Sequence, residues 1–290
     1  MDIAALLTSL AAVGALATVL ATLLVVADRW LHVVEDPRID NVEAMLPHTN
    51  CGACGYPGCR AFAEVLVSGV EPPAKCSVSA PPDHARIAAY LGVDVGVQEK
   101  RVARLACAGG NNVARNRAHY QGHKSCAAAA LVAGGGKSCF WGCLGLADCE
   151  VACDFDAIEM SPSQLPVVDE DRCTACGDCV QACPKDLFSI HEVSHRLWVA
   201  CSSLANGDEV LEECEVGCTA CGRCASDAPN LIEMKNGLPV VDYQKGSLSA
   251  DATQRCPTGA IVWIDETKGI VKGNAAKKVI RQGEMRDTAT

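Results

Sequence analysis

Twenty of the 290 residues are cysteine, and sixteen of them fall into closely spaced runs that begin at Cys51, Cys139, Cys173 and Cys218, each with its more distant partners. Such a chain has to fold around whatever the sulfurs hold. Aromatic residues make up only 4% of it, so its apolar cores are small and need a further staple. Disulfide scaffolds are usually shorter and secreted, whereas regular C-x2-C steps in a longer chain point to metal ligation.

The strongest run is Cys173, Cys176, Cys179 and Cys183 followed by Pro184. This is the bacterial ferredoxin spacing, in which the fourth cysteine ligates the other cluster of a two-cluster domain. Upstream stand Cys139, Cys143, Cys149 and Cys153 at looser spacing, with Asp154 where proline would follow. Cross-ligation assigns Cys153, Cys173, Cys176 and Cys179 to one [4Fe-4S] cluster, and Cys139, Cys143, Cys149 and Cys183 to another.

A third run, Cys218, Cys221 and Cys224, is followed by Ala228-Pro229 in place of Cys-Pro, and by Cys256-Pro257 further on. An internal repeat accounts for this. Leu165-Pro-Val-Val-Asp169 recurs as Leu238-Pro-Val-Val-Asp242, which sets Gly246, Ser249 and Ala252 at the positions of Cys173, Cys176 and Cys179. The four positions of one cluster (228, 246, 249 and 252) have all lost cysteine. The four of the other, Cys218, Cys221, Cys224 and Cys256, all remain, so this unit is expected to hold one cluster.

Nearer the start, Cys51, Cys54 and Cys59 lie on a Gly-rich loop, with Cys76 as a distant fourth. Glycines let such a loop turn its amides toward the sulfurs. Three plus one is unlike the two C-x2-C pairs of a zinc ribbon. The count of [4Fe-4S] clusters is therefore four. Cys107, Cys126, Cys201 and Cys214 are left over; they can form a further site, replace a ligand in the loosely spaced set, or be buried thiols, and we read them first as thiols.

Between Ile3 and Ala27 the chain carries no charge over 25 residues. At about 1.5 Å per residue a helix of that length crosses the ~30 Å hydrocarbon layer. Residues 3–27 are thus expected to lie in the lipid bilayer as a single span. Arg29 and Arg38 follow the helix, which places the bulk of the chain on the cytoplasmic side of the inner membrane.

The whole reads as an α+β protein: a transmembrane anchor (1–28), a linker (29–44), a small mainly α [4Fe-4S] module with a following helix (45–106), a two-cluster ferredoxin-like unit (107–200), a degenerate one-cluster unit (201–265) and a basic, flexible tail (266–290). Short strands are expected at 157–160, 231–234 and 261–264. A net charge of −10 argues against nucleic-acid binding. Gly136-Lys137-Ser138 mimics the end of a phosphate loop, but the first glycine would fall at Leu131, so no bound nucleotide is expected. Two basic groups, Arg101, Arg104, Arg115 and Arg117, and Lys268, Lys272, Lys277, Lys278 and Arg281, are read as a solvated helix face and a frayed end, or as docking points for an acidic partner.

The passage from Cys126 through Gly134-Gly-Gly-Lys-Ser-Cys139-Phe-Trp-Gly-Cys143-Leu-Gly-Leu-Ala-Asp-Cys149 to Cys153-Asp-Phe-Asp-Ala-Ile158 resembles the B subunit of Rnf ion-translocating ferredoxin:NAD oxidoreductase complexes. So do the apolar helix, the Cys51 loop and the segments around Cys201 and Cys214, and only the stretch after Asp265 falls outside the likeness. The resemblance implies an electron-relay subunit of a membrane redox complex. It would take electrons from soluble ferredoxin and pass them to flavin-bearing and membrane subunits, which reduce NAD and move Na+ or H+. The alternatives are the iron-sulfur subunit of a non-pumping membrane oxidoreductase and a cluster-based redox sensor.

Overall fold

The computed structural model describes residues 3–31, 36–279 and 285. Asp2, positions 32–35 of the expected linker and Arg281 lie outside the described residues.

The first helix, α1 (Ile3–Leu31), runs four residues past the expected apolar limit at Ala27, and the stretch suited to a membrane is Leu10–Leu31. Its leucines and valines face outward along the described length, from Leu10 to Leu31. Thr18 and Thr22 donate their hydroxyls to the carbonyls of Gly14 and Thr18, at 2.6 and 2.8 Å. That leaves no polar hydrogen of these two hydroxyls unpaired on an apolar helix.

A small helical module follows. Asp36 caps α2 (Pro37–Met45) by accepting from the Arg38 N–H at 2.9 Å, with Pro37 in the first turn where a missing N–H costs nothing. Then come α3 (Cys59–Val67) and α4 (Pro81–Leu91), the latter also begun by proline and closed by left-handed Gly92. The Pro81-Pro82 pair thus starts the following helix expected in this module. Val42, Leu46, Phe62, Leu66 and Ile87 form its core.

Two units of the same design come next. In the first, β1 (Arg101–Leu105) is followed by α5 (Cys126–Leu131), α6 (Asp148–Val151), the hairpin β2 (Ile158–Met160) and β3 (Pro166–Val168), α7 (Asp178–Ala182) and β4 (Phe188–Glu192). In the second, β5 (Leu197–Val199) precedes α8 (Asp208–Glu213), α9 (Arg223–Asp227), the hairpin β6 (Ile232–Lys235) and β7 (Leu238–Val241), and β8 (Ile261–Asp265). Each unit is closed by antiparallel pairing of its first and last strands, β1 with β4 and β5 with β8. The hairpins share a register: Ile158 faces Val168 and Met160 faces Pro166, just as Ile232 faces Val241 and Met234 faces Pro239. The turn of the second is the Asn236-Gly237 pair, both with positive φ, the chemistry a tight hairpin requires.

These pairings move the expected boundaries. Strand β1, read as part of the small module, belongs to the first ferredoxin-like unit, and β5, read as the end of that unit, opens the second. First-to-last strand pairing joins segments some ninety residues apart (Arg101 with Glu192), beyond the reach of local periodicity. The segment after Asp265 is also built in: β9 (Gly269–Lys272) pairs with β8, and the Lys277 N–H donates to Pro257 O at 3.1 Å.

The arginine group is not a helix face. Arg101 and Arg104 lie on β1; Arg104 is buried against Glu170, and Arg101 reaches back to the Ala53 carbonyl at 2.9 Å. Arg117 donates to Ala133 O.

Where the second unit lacks a cluster's cysteines, side chains close the space. Ala252 is buried, and Ala228 and Leu248 pack with it against Leu197, Ile232 and Ile261. Ser249 caps a short 3-10 turn, accepting from the Asp251 N–H at 3.1 Å.

Phe62 is the largest side chain in the core of the small module and is almost fully buried. Phe62→Ala is expected to destabilise that module by about 3–5 kcal/mol. Limited proteolysis should then cut between residues 46 and 78 while both ferredoxin-like units stay intact.

Candidate metal centres

The loop that carries the first cysteines is held in an unusual backbone shape. His48 and Asn50 have φ of 56° and 50°, and Gly52 and Gly55 also sit at positive φ. The Asn50 side chain accepts from the Cys59 N–H at 2.8 Å, which locks the loop to the start of α3. A Cβ at position 58 would stand 3.0 Å from that same oxygen, so a side chain there would press on the Asn50 bond. The result is a hollow of about 290 Å³, partly open to solvent, ringed by Cys51, Cys54, Cys59 and Cys76 with Phe62 behind them. The Ser79 hydroxyl donates to Cys76 Sγ at 3.2 Å.

One loop conformation is used twice further on. Cys173-Thr-Ala-Cys-Gly-Asp-Cys179 and Cys218-Thr-Ala-Cys-Gly-Arg-Cys224 both put alanine in the left-handed region, with φ of 60° at Ala175 and 56° at Ala220. Both then begin a short helix after a left-handed glycine, Gly177 or Gly222. Such turns aim successive sulfurs to one side. Cys153, Cys173, Cys176 and Cys179 line a hollow of about 310 Å³. Cys218, Cys221, Cys224 and Cys256 line one of about 340 Å³. Backbone amides meet the sulfurs here, Ala103 N–H with Cys173 Sγ and Ala157 N–H with Cys153 Sγ, each at 3.4 Å.

The loosely spaced group is where the structure departs from the spacing argument. Cys139 lines a hollow with Cys107, Cys201 and Cys214, and neither Cys149 nor Cys183 is among its lining residues. Asp148 accepts from the Cys126 and Ala127 N–H groups and from the Ser125 hydroxyl, all at 2.9 Å, and so fastens the start of α5 beside Cys149. Burial, then the nearness of Cys126 and Cys183, pushes the Cys149 thiol up to about 12. Burial likewise raises Cys143, with Cys107 and Cys126 close by. Cys126 and Cys183 thus lie near Cys149, and Cys107 and Cys126 near Cys143. No spacing rule could find Cys126, because a carboxylate twenty-two residues away in sequence positions it.

Residues 46–78, which contain the first four cysteines, match a family described as a putative Fe-S cluster domain. Residues 138–187 match a 4Fe-4S dicluster domain, and Cys218 to Cys256 lie beyond both stretches. The chain is 35% identical over 239 residues to the B subunit of the Na(+)-translocating ferredoxin:NAD(+) oxidoreductase complex of Acetobacterium woodii, spanning 82% of this chain and 72% of that one. It is 34% identical to the B subunit of the ion-translocating oxidoreductase complex of Methanosarcina acetivorans, over 88% of this chain and 97% of the relative. With the B subunit of the proton-translocating ferredoxin:NAD(+) oxidoreductase complex of Clostridium ljungdahlii the identity is 36%, over 82% and 83%. The chain belongs to this B-subunit family.

The donor set of this family member fits iron-sulfur clusters. Among the described residues no three His, Cys, Asp or Glu are grouped as a single metal ion would need. A zinc ion would draw four sulfurs to about 2.3 Å from one point. Here each of three four-cysteine sets lines one shared hollow. Lys137, the residue in the middle of the phosphate-loop-like stretch, is buried and donates to Gly109 O and, at 2.6 Å, to Cys143 O. Its ammonium therefore points into the protein among the cysteine loops, and its charge favours a thiolate at Cys143.

Burial holds the unligated thiols protonated: Cys139, Cys176, Cys218 and Cys224 are pushed up to about 11, and Cys179 to about 12. A thiolate is what binds iron, so loading must expel these protons. Iron-sulfur reconstitution of the iron-free chain is expected to release roughly one proton per ligand cysteine and to quicken as pH rises from about 7 to about 9. Proton uptake by a dye in weak buffer measures both. Cys126→Ser is expected to remove about four iron per chain, against no loss if Cys126 is a bystander thiol.

Proposed function

We propose that the chain is the membrane-anchored electron-relay subunit of an Rnf-type complex, accepting electrons from reduced ferredoxin and handing them to flavin-bearing and membrane subunits. NAD reduction and Na+ or H+ translocation then belong to those partners. Arg29 and Arg38 favour the cytoplasmic face for the cysteine-bearing body, with α1 as a single span.

The observation that supports this best is that the cysteine loops touch one another in series. Ser77, next to Cys76, donates its hydroxyl to the carbonyl of Thr174, next to Cys173, at 2.6 Å. Arg101 ties the Cys51–Cys59 loop to β1 through the Ala53 carbonyl, and β1 in turn meets Cys173 through the Ala103 amide. Cys149 and Cys179 then share the core of the first ferredoxin-like unit with Cys153 and Cys183 packed against it. A [4Fe-4S] cluster held at such a site supplies one-electron redox chemistry. The chain's own residues hold the sulfurs, donate amides to them and exclude water with small apolar side chains such as Ala103, Ala157 and Ile158. Low polarity and few rearranging groups suit conduction rather than bond making.

Cys176→Ala is expected to remove one cluster and abolish ferredoxin-dependent NAD+ reduction in membranes, while the variant still sediments with the membrane fraction. Turnover equal to that of the unaltered complex would refute the relay assignment.

A further inference from the structure

Cys107, Cys139, Cys201 and Cys214 come from four separate segments, yet they line one hollow between the two ferredoxin-like units, as the cysteines of three other sets line theirs. Two of them, Cys107 and Cys139, belong to the first unit, and two, Cys201 and Cys214, to the second.

Their placement is fixed by backbone. Cys107 and Cys201 are equivalent: each follows by two residues the first strand of its unit, β1 or β5, within an Ala-Cys pair. The two strand exits are tied side by side, the Ala108 N–H donating to Ala200 O at 3.0 Å and Ser202 Oγ to Ala106 O at 3.0 Å. Cys139 and Cys214 are set by a rib of chain at 113–116. On one edge the Ser138 N–H donates to Arg115 O at 2.9 Å; on the other the Arg115 N–H donates to Glu213 O and the Glu215 N–H to Val113 O, both at 2.9 Å. A Cβ at position 109 would stand 3.1 Å from Cys214 Sγ and 3.7 Å from Cys107 Sγ, so the chain at Gly109 passes close over both sulfurs.

The sulfurs also receive amides, as at the other sites. Gly109 N–H and Cys143 N–H reach Cys107 Sγ at 3.4 and 3.5 Å, and Cys218 N–H reaches Cys201 Sγ at 3.3 Å. Amide donors to sulfur are what tune and stabilise ligated thiolates. With the other four groups counted in chain order, two of these donors are themselves cysteines of neighbouring groups, Cys143 of the second and Cys218 of the fourth.

We infer that Cys107, Cys139, Cys201 and Cys214 hold a fifth [4Fe-4S] cluster at the seam between the two ferredoxin-like units, adjoining the second and fourth cysteine groups. This rests on the reading of the other four groups as cluster sites, and it supplies the link that joins the one-cluster unit to the rest. The cluster arrives preformed from the cell's cluster-assembly donors: four iron–thiolate bonds form as the iron–ligand bonds to the donor break, the four thiol protons pass to solvent, and the iron keeps its oxidation state.

The test is iron, acid-labile sulfide and zinc per full-length chain, purified in detergent without air, with EPR after dithionite reduction. The unaltered chain is expected to hold about twenty iron and twenty sulfide. Cys107→Ser and Cys201→Ser should each lose about four iron, and the double variant the same four, whereas Cys126→Ser with Cys201→Ser should lose about eight. About sixteen iron in the unaltered chain, unchanged in Cys201→Ser, would overturn the fifth site and leave the other four standing. Fewer than about twelve, or zinc in place of iron, would overturn both readings. Should a variant fail to fold, the count for the unaltered chain still decides, because the other four groups account for only about sixteen.

Discussion

Gathering four sulfurs around a shared hollow is the constraint on which the rest of the structure depends. Left to burial alone, cysteine side chains would pack as small apolar groups. What turns them to one side is backbone in the left-handed region, at His48 and Asn50, at Ala175 and at Ala220, followed by glycines that start short helices. An L-residue resists that conformation by about 1–2 kcal/mol. It persists because amides freed by the turn find sulfur, carbonyl or the Asn50 and Asp148 side chains as partners.

The helices and hairpins around these loops are short, and their cores hold few large side chains. In the first ferredoxin-like unit the buried core is Ala103, Cys149, Ile158, Cys179 and Phe188, two of the five being cysteines. Ligand and core are therefore the same residues, which ties folding to cofactor loading. The second unit shows the converse. Its cysteine-free half is closed by Ala228, Leu248 and Ala252, ordinary apolar packing in the space a second cluster would occupy.

The seam between the two units is held differently from the inside of either. The strands β1 and β5 leave their sheets next to each other, Trp198 donates its indole N–H to Leu105 O at 2.8 Å, and the rib at 113–116 is bonded on both edges. This fixes the two units as neighbours through main chain, a more exact positioning than exposed side chains could provide. It is here that the buried ammonium of Lys137 lies, on the carbonyls of Gly109 and Cys143.

Much of the candidate chemistry was legible in the order of residues, because three cysteine groups are built mainly from runs whose local spacing alone brings sulfurs together: Cys51 to Cys59, Cys173 to Cys179 and Cys218 to Cys224. The repeat of Leu-Pro-Val-Val likewise aligned the two units, and the two hairpins do share one register. The uncharged helix needed only composition. What the order of residues could not disclose is whatever is set by long-range main-chain pairing. Closure of β1 on β4 and β5 on β8 moved the unit boundaries, β9 drew the expected tail into a sheet, and a carboxylate at 148 fixed the start of α5 with Cys126 near Cys149. Cys107, Cys139, Cys201 and Cys214 share no run, so only the tertiary structure decided that they meet. Spacing reports on sulfurs that one loop can turn together; sulfurs brought in by separate segments are placed by hydrogen bonds between segments, and those become visible only once the chain is folded.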